Sequence, residues 1–226
     1  MKSSIKFAIY LNAVLVYFLL FYSTSLFAET FTETFDVNLG GQLIVNTDAG
    51  SIKVETHDKA TIELRVKIEN REGDEFSYRH ELNDGNLTII GEIEKKHSWV
   101  RNLRVEFNLL IPEDYNVELD TSGGSLSIED LTGNLNANTS GGSIKLSINK
   151  QLTKDAKLTT SGGSITAYLI HDIQLDINAS TSGGRVKSDF EINGKVKKMS
   201  VKGTINGGGP KLTLKTSGGS IKIKEI

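Results

Sequence analysis

The sequence predicts an all-β fold, a parallel β-helix or β-solenoid whose coils run about 20 residues with a Thr-Ser-Gly-Gly corner in each. Three observations carry this. The segment Thr-Ser-Gly-Gly-Ser begins at Thr121, Thr139, Thr160 and Thr216, and a variant ending in Arg185 begins at Thr181. Between corners apolar and polar residues alternate, which is the strand period. Glycine is plentiful (22) and proline scarce (2), as in a chain of many tight turns, and no stretch of the predicted mature chain has the spacing of an amphipathic helix.

The elements follow in order. Lys2 and Lys6 precede an almost wholly apolar run over residues 7–20, then the polar Ser23-Thr24-Ser25, then Leu26-Phe27-Ala28. This is the pattern of a signal peptide, residues 1–28, cleaved after Ala28. The competing reading is a retained anchor, because residues 7–27 are long enough to span a bilayer. Either way the remainder is expected outside the cytoplasm, in the periplasm or the extracellular part of the envelope.

Residues 29–118 read as an N-terminal β region that caps the solenoid or forms its first coils. Leu43, Val45 and Thr47 alternate up to Asp48-Ala49-Gly50-Ser51, a decayed copy of the corner. Ile62, Leu64, Val66 and Ile68 mark another strand, and residues 87–90 and 103–111 mark two more.

Residues 119–226 are the repeat solenoid. Ile144, Leu146 and Ile148 alternate after one corner, and Ile165, Ala167 and Leu169 after the next. The motif threonine falls in phase with the inward residues, so the following serine points out. The steps between threonines are 18, 21, 21 and 35. The longest step has room for an extra coil or loop, and residues 204–209 look like a degenerate corner inside it.

Two glycines at each corner, Gly123 and Gly124, Gly141 and Gly142, Gly162 and Gly163, Gly183 and Gly184, Gly218 and Gly219, are expected to supply positive φ and close approach of neighbouring backbones. The alternative is a hairpin at each pair, giving an antiparallel meander. Near-identical corners favour stacking, because like then sits on like. One coil buries too few aliphatic side chains to offset its ordering entropy, whereas stacked coils share a core.

Composition removes several classes of function. With no cysteine there is no disulfide, no cysteine-ligated zinc, no thiol catalysis and no lipidated cysteine. The four histidines, His57, His80, His97 and His171, stand far apart. Acids outnumber bases 20 to 10 over residues 29–120, and bases outnumber acids 14 to 8 over residues 121–226. Such asymmetry points to a charged partner or to one half meeting the other.

The stretches "GGQLIVNTDAGSIKVETHDKATIELRV" and "FNLLIPEDYNVELDTSGGSLSIEDLTGNLNANTSGGSIKL", with the later corner copies, resemble the bacterial putative-adhesin domains of unknown function, which are related to the GIN head domain of putative auto-transporter adhesins. The resemblance spans nearly all of the mature chain. It implies an exported, right-handed β-helix-like fold without catalytic residues. The chain differs from larger adhesins in having no sorting signal, translocator barrel or lipidation cysteine.

Catalytic readings find little to stand on. A serine beside two glycines suggests a protease nucleophile, but a nucleophile occurs once and this motif recurs without a matching base. A polysaccharide lyase or hydrolase needs paired carboxylates. Asp172 and Asp176, beside His171, are the best pair, and they read more simply as a solvated turn. The corners lack the aspartate of calcium-binding repeats, so no metal or cofactor is expected.

Trp99, among Lys95, Lys96, His97, Arg101 and Arg104, reads as a core aromatic beneath a basic loop, with sugar stacking as the rival. Arg185, Lys187, Lys211, Lys215, Lys222 and Lys224 form a cationic group suited to a polyanion. The expectation is a non-enzymatic, adhesin-like binding or structural module of the envelope. Its partners are an anionic glycan, lipid headgroups or another envelope protein, not nucleic acid, with homo-oligomers forming through the solenoid ends. The rival is a carbohydrate-active enzyme on a β-helix scaffold.

Overall fold

The computed structural model describes residues 27–70, 76–94 and 103–226, and every regular element among them is a β-strand. The apolar N-terminal segment and Trp99 lie outside the described residues. In chain order the strands are β1 (Phe27–Asp36), β2 (Gln42–Thr47), β3 (Ser51–His57), β4 (Thr61–Asn70), β5 (Phe76–Asn83), β6 (Asn86–Ile93), β7 (Arg104–Pro112), β8 (Asn116–Thr121), β9 (Leu126–Glu129), β10 (Leu135–Thr139), β11 (Ile144–Ile148), β12 (Ala156–Thr160), β13 (Ile165–Leu169), β14 (Leu175–Thr181), β15 (Val186–Ser188), β16 (Asn193–Lys197), β17 (Ser200–Ile205), β18 (Lys211–Thr216) and β19 (Ile221–Glu225).

Each corner turns the chain from one sheet into another. Strands before a corner join a ten-stranded back sheet, β16-β17-β14-β18-β12-β10-β8-β2-β6-β5. Strands after a corner join a nine-stranded front sheet, β1-β4-β7-β3-β9-β11-β13-β19-β15. All the corner strands pair in parallel, so the corners are stacked turns and not hairpins. The register places Thr47, Thr121, Thr139, Thr160, Thr216 and Thr181 abreast in one row. The decayed corner at Asp48-Ala49-Gly50 therefore belongs to the same stack.

Alternation then decides what is buried. In the coil of β10 and β11, Leu135, Ala137, Ile144, Leu146 and Ile148 point between the sheets and are almost wholly buried. Every coil repeats this, and the result is one continuous aliphatic core. Burying each such side chain contributes roughly 1.5–3 kcal/mol relative to exposure.

The order of coils is not the order of the chain. β2 lies between β6 and β8, and β3 between β7 and β9. At the other end β18 lies between β12 and β14, and β19 between β13 and β15. After β13 the chain skips one coil's width, builds β14 and β15, and returns to fill the gap with its last residues.

The long 35-residue step holds the β16–β17 hairpin, which adds antiparallel to β14. Residues 204–209 are not a corner. They turn the chain into β18, with Asn206, Gly207 and Gly208 at positive φ and the Asn206 amide donating to the carbonyls of His171 and Ile173. The N-terminal end is also closed by antiparallel strands: β1 on β4, β4 on β7, and β5 on β6. The two sheets are thus mixed, parallel in the middle and antiparallel at both ends.

Candidate functional site

The corners are the most repeated feature, and their chemistry is inward. Each threonine hydroxyl donates to the second-glycine carbonyl of the neighbouring coil: Thr139 to Gly124 (2.8 Å), Thr160 to Gly142 (2.7 Å), Thr216 to Gly163 (2.7 Å) and Thr181 to Gly219 (2.7 Å). The same hydroxyl accepts the amide of the second glycine in its own corner. These hydroxyls are buried and fully used.

The two glycines have different duties. None of the ten corner glycines lies at positive φ. Close approach is the operative reason, and it acts at the second position. A Cβ on Gly142 would stand 2.0 Å from the Gly124 carbonyl oxygen, and one on Gly163 2.0 Å from that of Gly142. A Cβ on Gly123 would meet nothing within 4 Å, and on Gly141 nothing nearer than 3.6 Å. The serines after each pair form a second ladder on the front face. Ser125 Oγ accepts the Ser143 amide, Ser143 Oγ that of Ser164, and Ser164 Oγ that of Ser220.

The front sheet also carries cations in a line. Lys53, Ser127, Lys145, Thr166, Lys222 and Lys187 sit abreast on successive strands β3, β9, β11, β13, β19 and β15. Neighbouring strands lie about 4.8 Å apart, so this is a row of ammonium groups one or two strands apart. Lys53 is held by Glu55 (2.9 Å), which raises its pKa, and Lys145 by Glu129 (3.4 Å). Lys145 also lies 5.8 Å from the centre of the Tyr168 ring. Ser51, Lys53, Asn108, Lys145 and Tyr168 line a shallow groove of about 510 Å³ along this face.

The six cations singled out from the sequence are not all brought together. Arg185, Lys187, Lys222 and Lys224 project from the front sheet, Lys224 abreast of Tyr168. Lys211 and Lys215 belong to β18 and project from the back sheet. There Lys211, Asp155, Lys157, Glu118, Asn136 and Asn116 line a second groove of about 610 Å³. Strands on either side of a corner face opposite ways, which separates the two sets. Lys53, Lys145 and Tyr168 were missed because they fall outside the basic C-terminal stretch. Their shared phase, two or four residues after a corner serine, was the available signal.

Potential acid–base groups gather at the N-terminal end. The Tyr78 hydroxyl donates to Glu33 (3.0 Å), and His80 Nε2 lies 3.4 Å from the other Glu33 oxygen. Burial, with Glu33 beside it, pushes the Tyr78 pKa up to about 12. Phe31, Glu29 and Phe76 complete a groove of about 540 Å³. Glu29 and Glu33 share a strand face four residues apart on β1, so their Cα atoms stand about 13 Å apart.

His171 instead pairs with Glu225 (2.7 Å), and Asp176 faces outward beside Lys211. Among the described residues no three histidines or carboxylates are grouped to hold a metal ion.

Stacked corners, a closed aliphatic core and polar outer faces define a β-solenoid-like module. Residues 113–224 match the family model described as Toastrack DUF4097. The crystal structure of a putative cell adhesion protein from Clostridium sporogenes is similar, with a TM-score of 0.66 and 17% identity over 88% of this chain and 100% of that one. That likeness shows a common fold. A putative adhesin from Bacteroides fragilis matches at 13% identity over 88% of this chain and 97% of its own, with a TM-score of 0.33. No curated protein matches the chain.

Proposed function

We propose that this chain is an exported, non-enzymatic, adhesin-like binding module of the cell envelope, and that its front sheet binds a linear acidic glycan. The observation that carries the reading is the row of Lys53, Lys145, Lys222 and Lys187 along the stack axis, beside the Tyr168 ring and a ladder of serines. A polyanion lying along the axis meets an ammonium every one or two strands, and the serine hydroxyls and Tyr168 suit sugar rings. A groove favours a polymer chain over a planar bilayer. The fold shared with a putative cell adhesion protein supports the adhesin-like reading, and the signal-like N-terminus supports export.

The test is binding to polygalacturonate and to anionic phospholipid vesicles at low and moderate salt. Wild type should bind the polysaccharide, and K145E/K187E/K222E should lose at least tenfold in affinity. K211E/K215E, on the other sheet, should bind like wild type. Equal binding by both variants, or binding to vesicles alone, would overturn the reading.

A further inference from the structure

We infer that the two ends of the stack are complementary and that copies of this chain join head to tail. Four observations, independent of any ligand on the sheet faces, point to this.

The first is the shape of the ends. At the N-terminal end the front sheet extends one strand beyond the back sheet, because β1 lies outside β4 while the back sheet stops at β5. At the C-terminal end the back sheet extends two strands beyond β14, through β17 to β16, while the front sheet stops at β15. Each end is a step, and the steps are cut from opposite sheets. The position next to β15 in the front sheet is already occupied by the β16–β17 turn, whose Lys198 carbonyl accepts the Val186 amide (2.9 Å). β1 leans onto β5, with Phe31 against Tyr78 and Phe35 against His80, so translating one copy along the axis until its β5 meets the free edge of β16 continues the back sheet from copy to copy.

The second is strand direction. β5 runs antiparallel to β6 and hence to the parallel strands of the back sheet, whereas β16 runs with them. The joined edges are therefore antiparallel and can exchange backbone hydrogen bonds in the ordinary way.

The third is exposed apolar surface. Of six large apolar residues exposed among the described residues, four lie on these end elements: Phe31 (39%) on β1, Leu82 (42%) on β5, Val196 (63%) on β16 and Met199 (38%) in the β16–β17 turn. Phe31 and Leu82 lie on the inward side of their strands, abreast of buried Val66 and Leu87. Val196 lies on the inward side of β16, abreast of buried Val201. Phe31 packs edge-on against Tyr78 (5.6 Å between ring centres) and leaves its exposed edge at the end that meets Val196 and Met199 of the next copy.

The fourth is charge. The N-terminal end carries Glu29, Glu33, Asp36, Glu81 and Asp84 against Arg79. The C-terminal hairpin carries Lys195, Lys197, Lys198 and Lys202 and no acid. Lysines on an edge strand usually guard against edge-to-edge pairing. Here they repel a second C-terminal end and attract an N-terminal one, so the same charges forbid like-with-like contact and select head-to-tail contact. A translation does not close on itself, and the product is a linear chain of copies.

The experiment is sedimentation velocity of the purified protein over a range of concentrations, at low salt and near 1 M, where charges are screened beyond about 3 Å. The expected result is a sedimentation coefficient that climbs with concentration at low salt and falls back towards the monomer at high salt. K195E/K197E/K198E leaves only Lys202 against three acids in the hairpin, so both ends are acidic, and E29K/D36K/E81K leaves only Glu33 and Asp84 against four bases at the N-terminal end, so both ends are basic; each variant alone should stay monomeric. Mixed in equal amounts they should regain chains, because every junction then pairs an acidic end with a basic one.

V196D should block growth by a different route and stay monomeric on its own. Circular dichroism melts matching wild type establish that each variant is folded. A monomeric wild type at all concentrations at low salt overturns the inference. So does oligomerisation of either charge variant alone, or a mixture of folded variants that stays monomeric.

Discussion

Replacing Gly142 by alanine should be far more damaging than replacing Gly123 by alanine, although both are corner glycines. At Gly142 the new Cβ would lie 2.0 Å from the Gly124 carbonyl oxygen, where ordinary contact begins near 3.4 Å. One of the two coils must yield by about 1.4 Å, against a strand spacing of about 4.8 Å. That carbonyl also accepts the Thr139 hydroxyl, whose oxygen receives the Gly142 amide, while Ser143 bonds Ser125 alongside.

Forcing a well-packed contact costs about 1–3 kcal/mol, and each hydrogen bond lost or stretched about 0.5–1.5 kcal/mol. The sum is roughly 2–5 kcal/mol, a large part of a total stability of about 5–15 kcal/mol. At Gly123 nothing lies within 4 Å and φ is not positive. Alanine there should be neutral or stabilise by up to about 1 kcal/mol by restricting the unfolded chain. Urea melts of the two variants measure the difference, and thermal melts should show Gly142→Ala lower by roughly 2–4 °C per kcal/mol. Equal midpoints would refute the claim that close approach at the second glycine holds the stack.

Three further outcomes are expected. Thr160→Val should destabilise by about 2–4 kcal/mol, since it strands the Gly142 carbonyl and the Gly163 amide, while Ser161→Ala on the exposed side should stay within about 0.5 kcal/mol; denaturant melts compare them. Tyr115, wholly buried and bonded to the Gly85 carbonyl (2.6 Å), has its pKa pushed up to about 12 by burial, then by Asp114. Its folded pKa exceeds the unfolded value near 10, so its contribution is intact below about pH 10 and is lost as pH rises towards 12; alkaline melts of Tyr115→Phe should be flatter over that window. Intact mass of the exported protein should place its first residue at or near Glu29, whereas a full-length species held in salt-washed membranes would mean a retained anchor.

The sequence and the structure agree where repetition and alternation speak. The phase of Thr139 and Thr160 with the inward set is local information, and it foretold buried threonines and exposed serines. The order of coils was not legible. Identical corners say that Thr160 lies in a row with other threonines, and they do not say that its neighbours are Thr139 and Thr216 rather than Thr139 and Thr181. That choice depends on which coil can bear an antiparallel cap, and the 35-residue step was the only hint. The cationic surface was half legible, because counting lysines along the C-terminal stretch ignores that a corner sends Lys215 and Lys222 to opposite faces. The contact of Glu33 with Tyr78 and His80 joins residues 45 or more apart through the packing of end strands from opposite sheets, which no local pattern encodes.

The return of the C-terminal residues into the middle of the stack bears on how the molecule is made. Until β18 and β19 arrive, β12 and β14 have no common neighbour, and neither do β13 and β15. Each of these four strands then presents an unpaired edge. The segment that joins them follows all four in the chain, so it leaves the ribosome after them and, in an exported chain, crosses the membrane after them. It acts as a keystone: completion of the stack waits for β19, and a chain interrupted before it holds two half-arches with sticky faces. Loss of the final coil by proteolysis or a premature stop would therefore not shorten the protein by one repeat. It would split it in two, and a quality-control protease would meet open strand edges in every incomplete copy.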